Sequence, residues 1–272
     1  MGCDARPIGV FDSGLGGLTG FSRLRDLLPG EDLIYFGDTA RVPYGTRGRD
    51  IITRYARQDA AFLMKFGIKL LFIACGTASY AALDTLTREL PIPVCGVIEA
   101  ASRRAAAVTK NGRIGVLATA ATISGHVYSD RLHGIDPKLS VCEQACPLFV
   151  PVVEAGRFAP DDPIVKILTR EYLSPVLSFG ADAVILGCTH YPLLAPAIAE
   201  AAPGVRLVDS GAEAAAQAAA MLDEYGLRNA PDHKGTVRYY VSDRTAGFTA
   251  SAEMFLQHEL EGPVEWVDIE KY

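Results

Sequence analysis

The sequence predicts an α/β protein: two pseudo-symmetric domains with mainly parallel sheets. Three observations predict it. Short apolar runs bounded by Gly, Pro, Asn and Asp alternate along the chain with segments of helical spacing, the pattern of a parallel sheet with crossover helices. The tripeptide Ile8-Gly9-Val10 returns as Ile114-Gly115-Val116, an offset of 106 residues. The run Leu70-Leu71-Phe72-Ile73-Ala74-Cys75-Gly76-Thr77 returns in shape as Ala183-Val184-Ile185-Leu186-Gly187-Cys188-Thr189-His190, an offset of 113. Two echoes at nearly one offset indicate an internal duplication.

The elements follow in order. Pro7 to Phe11 is a short apolar strand that runs into Asp12-Ser13-Gly14-Leu15-Gly16-Gly17-Leu18-Thr19-Gly20, a glycine-rich turn opening a helix through Phe21 to Leu28. Asp32 to Gly37 is a second strand, ending at Asp38, and Thr39 to Thr46 is a loop by its Pro43 and Gly45. Residues 50–66 carry Ile51, Tyr55, Phe62 and Phe66 at helical spacing, with Gly67 placed to end the helix. The Leu70–Cys75 strand precedes a helix from Ala78 to Leu90, and Pro91 and Pro93 enclose the turn into strand Val94–Val97. In the second half a helix from Glu99 ends at Asn111-Gly112, and Arg113 to Ala118 is a strand ending at Thr119-Ala120-Ala121-Thr122. Ser140 to Pro147 reads as a strand, Asp162-Pro163 starts a helix that Pro175 is expected to break or kink, and Ala183–Leu186 is the strand before Cys188. After strand Val205–Val208, Ser210 and Glu213 form a capping-box pattern for an Ala-rich helix ending at Gly226. The tail adds strands Val237–Val241 and Val264–Ile269 around one more helix. These have no counterpart in the duplicated core, so they are expected to complete the first domain. The division is then 1–97 plus 209–272 for the first domain and 98–208 for the second, inserted domain.

At 272 residues, 49% hydrophobic and 21% charged, the chain has the composition of a soluble globular protein with a sizeable core. A net charge of −6 offers no basic footprint, so no nucleic-acid partner is expected. No apolar run approaches the ~18 residues of a membrane span, and Met1 to Arg6 carries neither a signal-peptide core nor the myristoylation pattern, since Arg6 stands where Ser or Thr is needed. No membrane partner and a cytoplasmic location follow as expectations. Six cysteines do not make a disulfide framework, and no Cys or His pairs show zinc-site spacing. Cys95, Cys142 and Cys146 read as packing residues and Cys3 as incidental. No metal is expected.

Ligands of open α/β sheets bind beyond the carboxyl ends of the strands. Four strand ends therefore carry the candidate chemistry: Asp12-Ser13, Cys75-Gly76-Thr77, Thr119 to Thr122, and Cys188-Thr189-His190. The glycine-rich turn has two readings. Strand, Gly14-x-Gly16 and helix, with Asp38 downstream, suggest a dinucleotide site, but Thr19 occupies the place of the third glycine; glycines easing a tight strand-to-helix turn account for it as well. A carboxylate and hydroxyl at Asp12-Ser13 could meet a ligand ammonium or orient a nearby thiol. Each thiol at a strand tip could be a buried small hydrophobe. As chemistry, a thiol of pKa ~8.5 needs roughly 2 kcal/mol to ionise near pH 7, and a helix N-terminus after each cysteine would reduce that cost. His190 could assist Cys188 and Asp12 could assist Cys75. A redox pair would show C-x-x-C, which is absent, and a cysteine hydrolase would leave one thiol idle. Two thiols in equivalent places suit a third use, two bases on opposite faces of one carbon, which inverts a stereocentre.

The segments Ile8 to Gly17, Tyr35-Phe36-Gly37-Asp38, Pro43-Tyr44-Gly45, Ala74-Cys75-Gly76-Thr77-Ala78-Ser79 and Leu186-Gly187-Cys188-Thr189-His190-Tyr191-Pro192 together resemble the cofactor-independent glutamate racemases of the aspartate/glutamate racemase superfamily. The resemblance spans nearly the whole chain. It implies two α/β domains with the active site between them, no pyridoxal phosphate or other cofactor, and a catalytic pair at Cys75 and Cys188. It implies that Asp12 and His190 assist the thiols and touch the substrate, that Ser13, Tyr44, Gly45, Gly76, Thr77 and Thr189 contact it, and that Thr119, Thr122 and Glu154 line the pocket. In the L-to-D direction it makes Cys188 the base and Cys75 the acid. The implied partner is glutamate, the implied role is D-glutamate supply for peptidoglycan, and a homodimer is in keeping with such proteins. One residue departs from the pattern: the family commonly has Asn after the first cysteine, and here Gly76 removes a side-chain amide while keeping a backbone N–H. Racemisation of another acidic amino acid such as aspartate, and a non-catalytic binding or regulatory protein on the same fold, stand as the alternatives.

Overall fold

The computed structural model describes residues 3–243 and 247–272; Met1 and Gly2, part of the N-terminal reading above, lie outside them. The chain divides into two units, Met1–Val97 with Ala214–Tyr272, and Ile98–Glu213.

The first unit opens with β1 (Ile8–Asp12), α1 (Leu18–Leu27), β2 (Leu33–Gly37), α2 (Arg49–Met64), β3 (Leu70–Ile73), α3 (Gly76–Glu89) and β4 (Val94–Gly96). Every residue of β1, β2 and β3 is buried, as expected of parallel strands covered on both faces. One face packs Phe11, Ile34, Phe36, Leu71 and Ile73 against Ile52, Ala56, Phe62 and Leu63 of α2. Each large side chain so buried contributes about 1.5–3 kcal/mol. Gly67 takes φ +65°, turning the chain out of α2 into β3.

The second unit contains α4 (Val97–Val108), β5 (Arg113–Ala118), α5 (Ala120–Ser124), α6 (Val127–Ile135), β6 (Ser140–Ala145), α7 (Phe149–Glu154), α8 (Pro163–Phe179), β7 (Ala183–Leu186), α9 (Ala195–Ala201) and β8 (Arg206–Asp209). Helix α10 (Ser210–Glu224) leads back to the first unit, which ends with β9 (Val237–Val241), α11 (Phe248–Leu256) and β10 (Val264–Trp266). The change of unit falls inside α10, after Glu213, rather than at residue 209.

All strand pairs among the described residues are parallel. The first sheet has the order β10-β9-β2-β1-β3-β4 and the second β6-β5-β7-β8. With β9 and β10 set aside the two orders are the same, so β1 corresponds to β5 and β3 to β7. The repeated tripeptide acquires a physical reason: its glycine is where a neighbour presses on the central strand. A Cβ on Gly9 would lie 2.7 Å from Ile68 Cδ1, and one on Gly115 would lie 2.3 Å from Val176 Cγ1 of α8.

The structure corrects several details. Pro175 does not break its helix; α8 runs through it with Pro175 exposed, because Val165, Leu168, Tyr172, Leu173 and Val176 form one buried stripe on both sides of it. The capping box at Ser210 and Glu213 does not form. Asp209 Oδ1 accepts from the N–H groups of Gly211 and Ala212, Ser210 donates to the Leu186 carbonyl, and Glu213 pairs with Arg104. The last strand stops at Trp266, and buried Ile269 sits in a 3-10 turn instead. Helices α5, α6, α7 and α9 occupy stretches in which no helix was expected.

Candidate active site

In both sheets the chain order reverses beside the central strand, between β1 and β3 and between β5 and β7. Such a switch point opens a crevice at the strand carboxyl ends, and the two cysteines lie at these ends. The Ala74 N–H donates to the Phe11 carbonyl (2.9 Å), which sets Cys75 beside Asp12 and Ser13. The Gly187 N–H donates to the Leu117 carbonyl (2.8 Å), which sets Cys188 beside Thr119. Ser13 and Thr119 are each the first residue past the central strand.

In the first unit Cys75 is the N-cap of α3. Its sulfur accepts from the Ala78 N–H (3.4 Å) and lies 3.6 Å from the Ser13 hydroxyl. A thiolate is favoured at such a helix end. Gly76 and Thr77 are buried and begin the helix, so their N–H groups precede the first intrahelical bond, from Ser79 to the Cys75 carbonyl. Asp12 is buried; its Oδ2 accepts from the Gly14 N–H (2.9 Å). The glycine-rich turn is explained by packing: a Cβ on Gly17 would lie 2.3 Å from the Asp12 Cβ, and one on Gly37 would lie 2.5 Å from the Gly14 carbonyl. Asp38, the acid of a dinucleotide reading, is buried with both oxygens engaged. Arg41 Nε donates to its Oδ2 (2.6 Å) and the Ser242 hydroxyl to its Oδ1 (2.8 Å).

Tyr44 opens a 3-10 turn over Tyr44–Thr46 and is itself buried. Its hydroxyl meets Asp38 Oδ2 and Asp59 Oδ2, the latter at 2.9 Å. Any contact it makes with a ligand therefore runs through its backbone, as for the neighbouring Gly45. Arg41 completes the group by donating to Asp59 Oδ1 (2.9 Å) and Gln58 Oε1 (2.5 Å).

In the second unit no α-helix starts at Cys188; a 3-10 turn over Tyr191–Leu194 follows it, and the expected helix N-terminus is absent there. Cys188 has a histidine instead. His190 Nδ1 lies 3.8 Å from its sulfur and 3.4 Å from the Thr189 hydroxyl, and His190 Nε2 lies 3.2 Å from Glu154 Oε1 at the end of α7. Burial opposes the charge on His190, but the Cys188 sulfur and the Glu154 carboxylate outweigh it and raise its pKa to about 10. The side chain is thus an imidazolium at neutral pH, a proton source beside the thiol. Thr119 caps α5, accepting from the Thr122 N–H at 3.5 Å, and the two hydroxyls lie 3.1 Å apart. Thr122 is buried, whereas Glu154 is exposed.

Two other cysteines are placed as spectators. Burial pushes the Cys95 thiol up to about 12 and the Cys146 thiol higher still, the latter also through the Cys188 sulfur. Among the described residues no group of three or more His, Cys, Asp or Glu is arranged for a metal ion. No helix among them is long and apolar enough to cross a membrane.

A family model described as Asp/Glu/Hydantoin racemase matches residues 21–218. The chain belongs to this racemase family. Among racemase relatives, a glutamate racemase of Geobacter metallireducens is 46% identical over 266 residues, covering 97% of each chain. The crystal structure of a glutamate racemase from Francisella tularensis in complex with D-glutamate superposes with a TM-score of 0.91 at 40% identity, covering 99% of this chain and 100% of that one. An aspartate racemase of Picrophilus torridus, at 18% identity and TM-score 0.54, shares the racemase fold.

Sequence reasoning missed Arg41, Asp59, Ser242 and Tyr128. Asp59 left a readable signal: it lies on the buried stripe of α2 marked by Ile52, Ala56, Ala60 and Leu63, where a carboxylate has no place without partners. Tyr128 left none. It is buried against Gly187, whose Cβ would lie 2.9 Å from its ring, and α6 itself was not expected.

Proposed function

We propose that the protein is a glutamate racemase that interconverts L- and D-glutamate by two-base proton transfer at Cα without pyridoxal phosphate. The observation that carries this reading is the pair of thiols at equivalent strand ends, each with a polar group suited to managing its proton. Cys75 has the Ala78 N–H and the Ser13 hydroxyl, with Asp12 at the end of the strand paired to its own. Cys188 has His190 backed by Glu154. The likeness to glutamate racemases, one of them holding D-glutamate, supports the substrate.

In the L-to-D direction the Cys188 thiolate removes the Cα proton and the Cys75 thiol delivers one to the opposite face; the reverse reaction exchanges the roles. Asp12 and His190 set the protonation states between turnovers. The substrate carboxylates are held by the N–H groups of Gly76 and Thr77, the backbone at Tyr44 and Gly45, and the hydroxyls of Ser13, Thr77, Thr119, Thr122 and Thr189. Each group that moves a proton in the transition state contributes about 10²–10⁴-fold, so neither thiol is dispensable. A cytoplasmic setting, supply of D-glutamate for peptidoglycan and a homodimeric state complete the proposal; light scattering of the purified protein tests the last.

The test is chiral analysis of the pure protein with L-glutamate, then with L-aspartate, without added pyridoxal phosphate. D-glutamate should form, and faster than D-aspartate. Failure on both substrates overturns the reading. Faster turnover of aspartate would favour the second reading, an aspartate racemase, which Gly76 in place of the family's Asn keeps open.

A further inference from the structure

The buried group around Tyr44 contains one proton more than its obvious charges supply. Asp38 Oδ2, Tyr44 Oη and Asp59 Oδ2 form a chain in which the phenol oxygen is within hydrogen-bond reach of both carboxyl groups. A phenol has one proton to give and a carboxylate has none. Where Tyr44 donates to one acid it must accept from the other, so one of the two is protonated. Both Asp38 oxygens already accept, from Arg41 Nε and from Ser242. Arg41 also donates to Asp59 Oδ1, and this leaves Asp59 Oδ2 turned to the phenol. Asp38 is thus met by two donors besides the phenol and Asp59 by one, which makes Asp59 the better place for that proton.

Charge counting agrees. Asp38 and Asp59 have no solvent exposure, and they share the single guanidinium of Arg41, which is itself buried. Two buried carboxylates on one cation would leave an uncompensated charge, and the exposed Glu270, 3.6 Å from Arg41, only adds to the excess. Burial first, and the Asp38 carboxylate second, push Asp59 well above the usual carboxylate range against the pull of Arg41. What the group holds is the loop after β2. Arg41 and Tyr44 are tied to α2 through Asp59 and to the end of β9 through Asp38 and Ser242, with the Arg41 guanidinium stacked 4.1 Å from the Tyr55 ring.

We propose that Asp59 is a positioning residue that works as a neutral carboxylic acid, donating its proton to Tyr44 and thereby fixing the Tyr44–Gly45 backbone for the substrate. The role of that backbone rests on the racemase reading; the protonation of Asp59 does not.

Asp59→Asn copies the neutral acid, its carbonyl accepting from Arg41 and its amide donating to Tyr44, whereas Asp59→Ala removes both. The expected result is a KM for glutamate within about threefold of wild type in Asp59→Asn, and about tenfold or more higher in Asp59→Ala with kcat changed less, the scale of one lost buried hydrogen bond. Urea unfolding at neutral pH gives a readout independent of activity. The Asp59→Asn midpoint should equal or exceed that of wild type. This arm stands whether or not the chain racemises glutamate and whether or not Asp59→Ala folds. An Asp59→Asn protein destabilised or raised in KM as much as Asp59→Ala would overturn the proposal, because it would mean that Asp59 serves as an anion. An Asp59→Ala protein unchanged in both readouts would overturn it too.

Discussion

Cys75 and Cys188 stand at equivalent strand ends but differ in what surrounds them. Cys75 has a helix N-terminus and a hydroxyl, whereas Cys188 has a histidine and, behind it, a carboxylate. Replacing either thiol by a hydroxyl removes an acid–base group of the reaction, so Cys75→Ser and Cys188→Ser should each lose racemisation by on the order of 10³-fold. Near-wild-type turnover in either would contradict its assigned role. His190 makes a separate prediction. Its folded pKa of about 10 lies above its ordinary 6.5, so it is held charged by its neighbours. A raised histidine pKa contributes stability that is complete below about pH 6.5 and is lost as pH rises towards 10. The unfolding midpoint of His190→Asn should therefore fall furthest below wild type near pH 6 and converge on it by pH 10. Imidazole nitrogen shifts should show the ring still protonated at pH 8, with a lower midpoint in Glu154→Gln. A ring titrating near 6.5 would contradict the account.

Glycine shows how sequence and element connect. Gly115 lies on the central strand of the second sheet, and a Cβ there would stand 2.3 Å from Val176 Cγ1 and 3.1 Å from Val184 Cγ2. Gly115→Ala should cost about 1–3 kcal/mol by overpacking. Gly134 lies in α6 with open space around it, so Gly134→Ala should raise stability by about 0.5–1 kcal/mol through helix propensity. Urea midpoints of opposite sign for one substitution type check both; equal shifts would contradict the packing assigned to Gly115. Strands were readable because full burial makes them continuous apolar runs between turn residues, as in β3 and β7. Helices α5, α7 and α9 were not: at five to seven residues each is too short to show a period. Pro175 misled because local propensity was weighed without the stripe of α8 that overrides it. Asp209, not Ser210, caps α10 because the Ser210 hydroxyl is drawn to the Leu186 carbonyl, a contact between elements far apart in sequence.

For the whole molecule the duplication organises the chemistry. One strand order, used twice, puts a thiol at the same place in each unit, and this much could be read from two sequence echoes. The partners of the thiols were only half readable. Thr189 and His190 adjoin Cys188 in sequence, but Ser13 reaches Cys75, and Glu154 reaches His190, only through folding. Tyr44 was expected to touch substrate, yet its hydroxyl is committed to two buried acids, which no local pattern announces. A pair of thiols serving two faces of one carbon makes a claim that a single base does not: the hydrogen removed and the hydrogen delivered come from different groups. The most direct test is racemisation of L-glutamate in D₂O, stopped early, with the Cα isotope read in both enantiomers. The account predicts D-glutamate deuterated at Cα and remaining L-glutamate almost free of label; D-glutamate that keeps its original Cα hydrogen would contradict it.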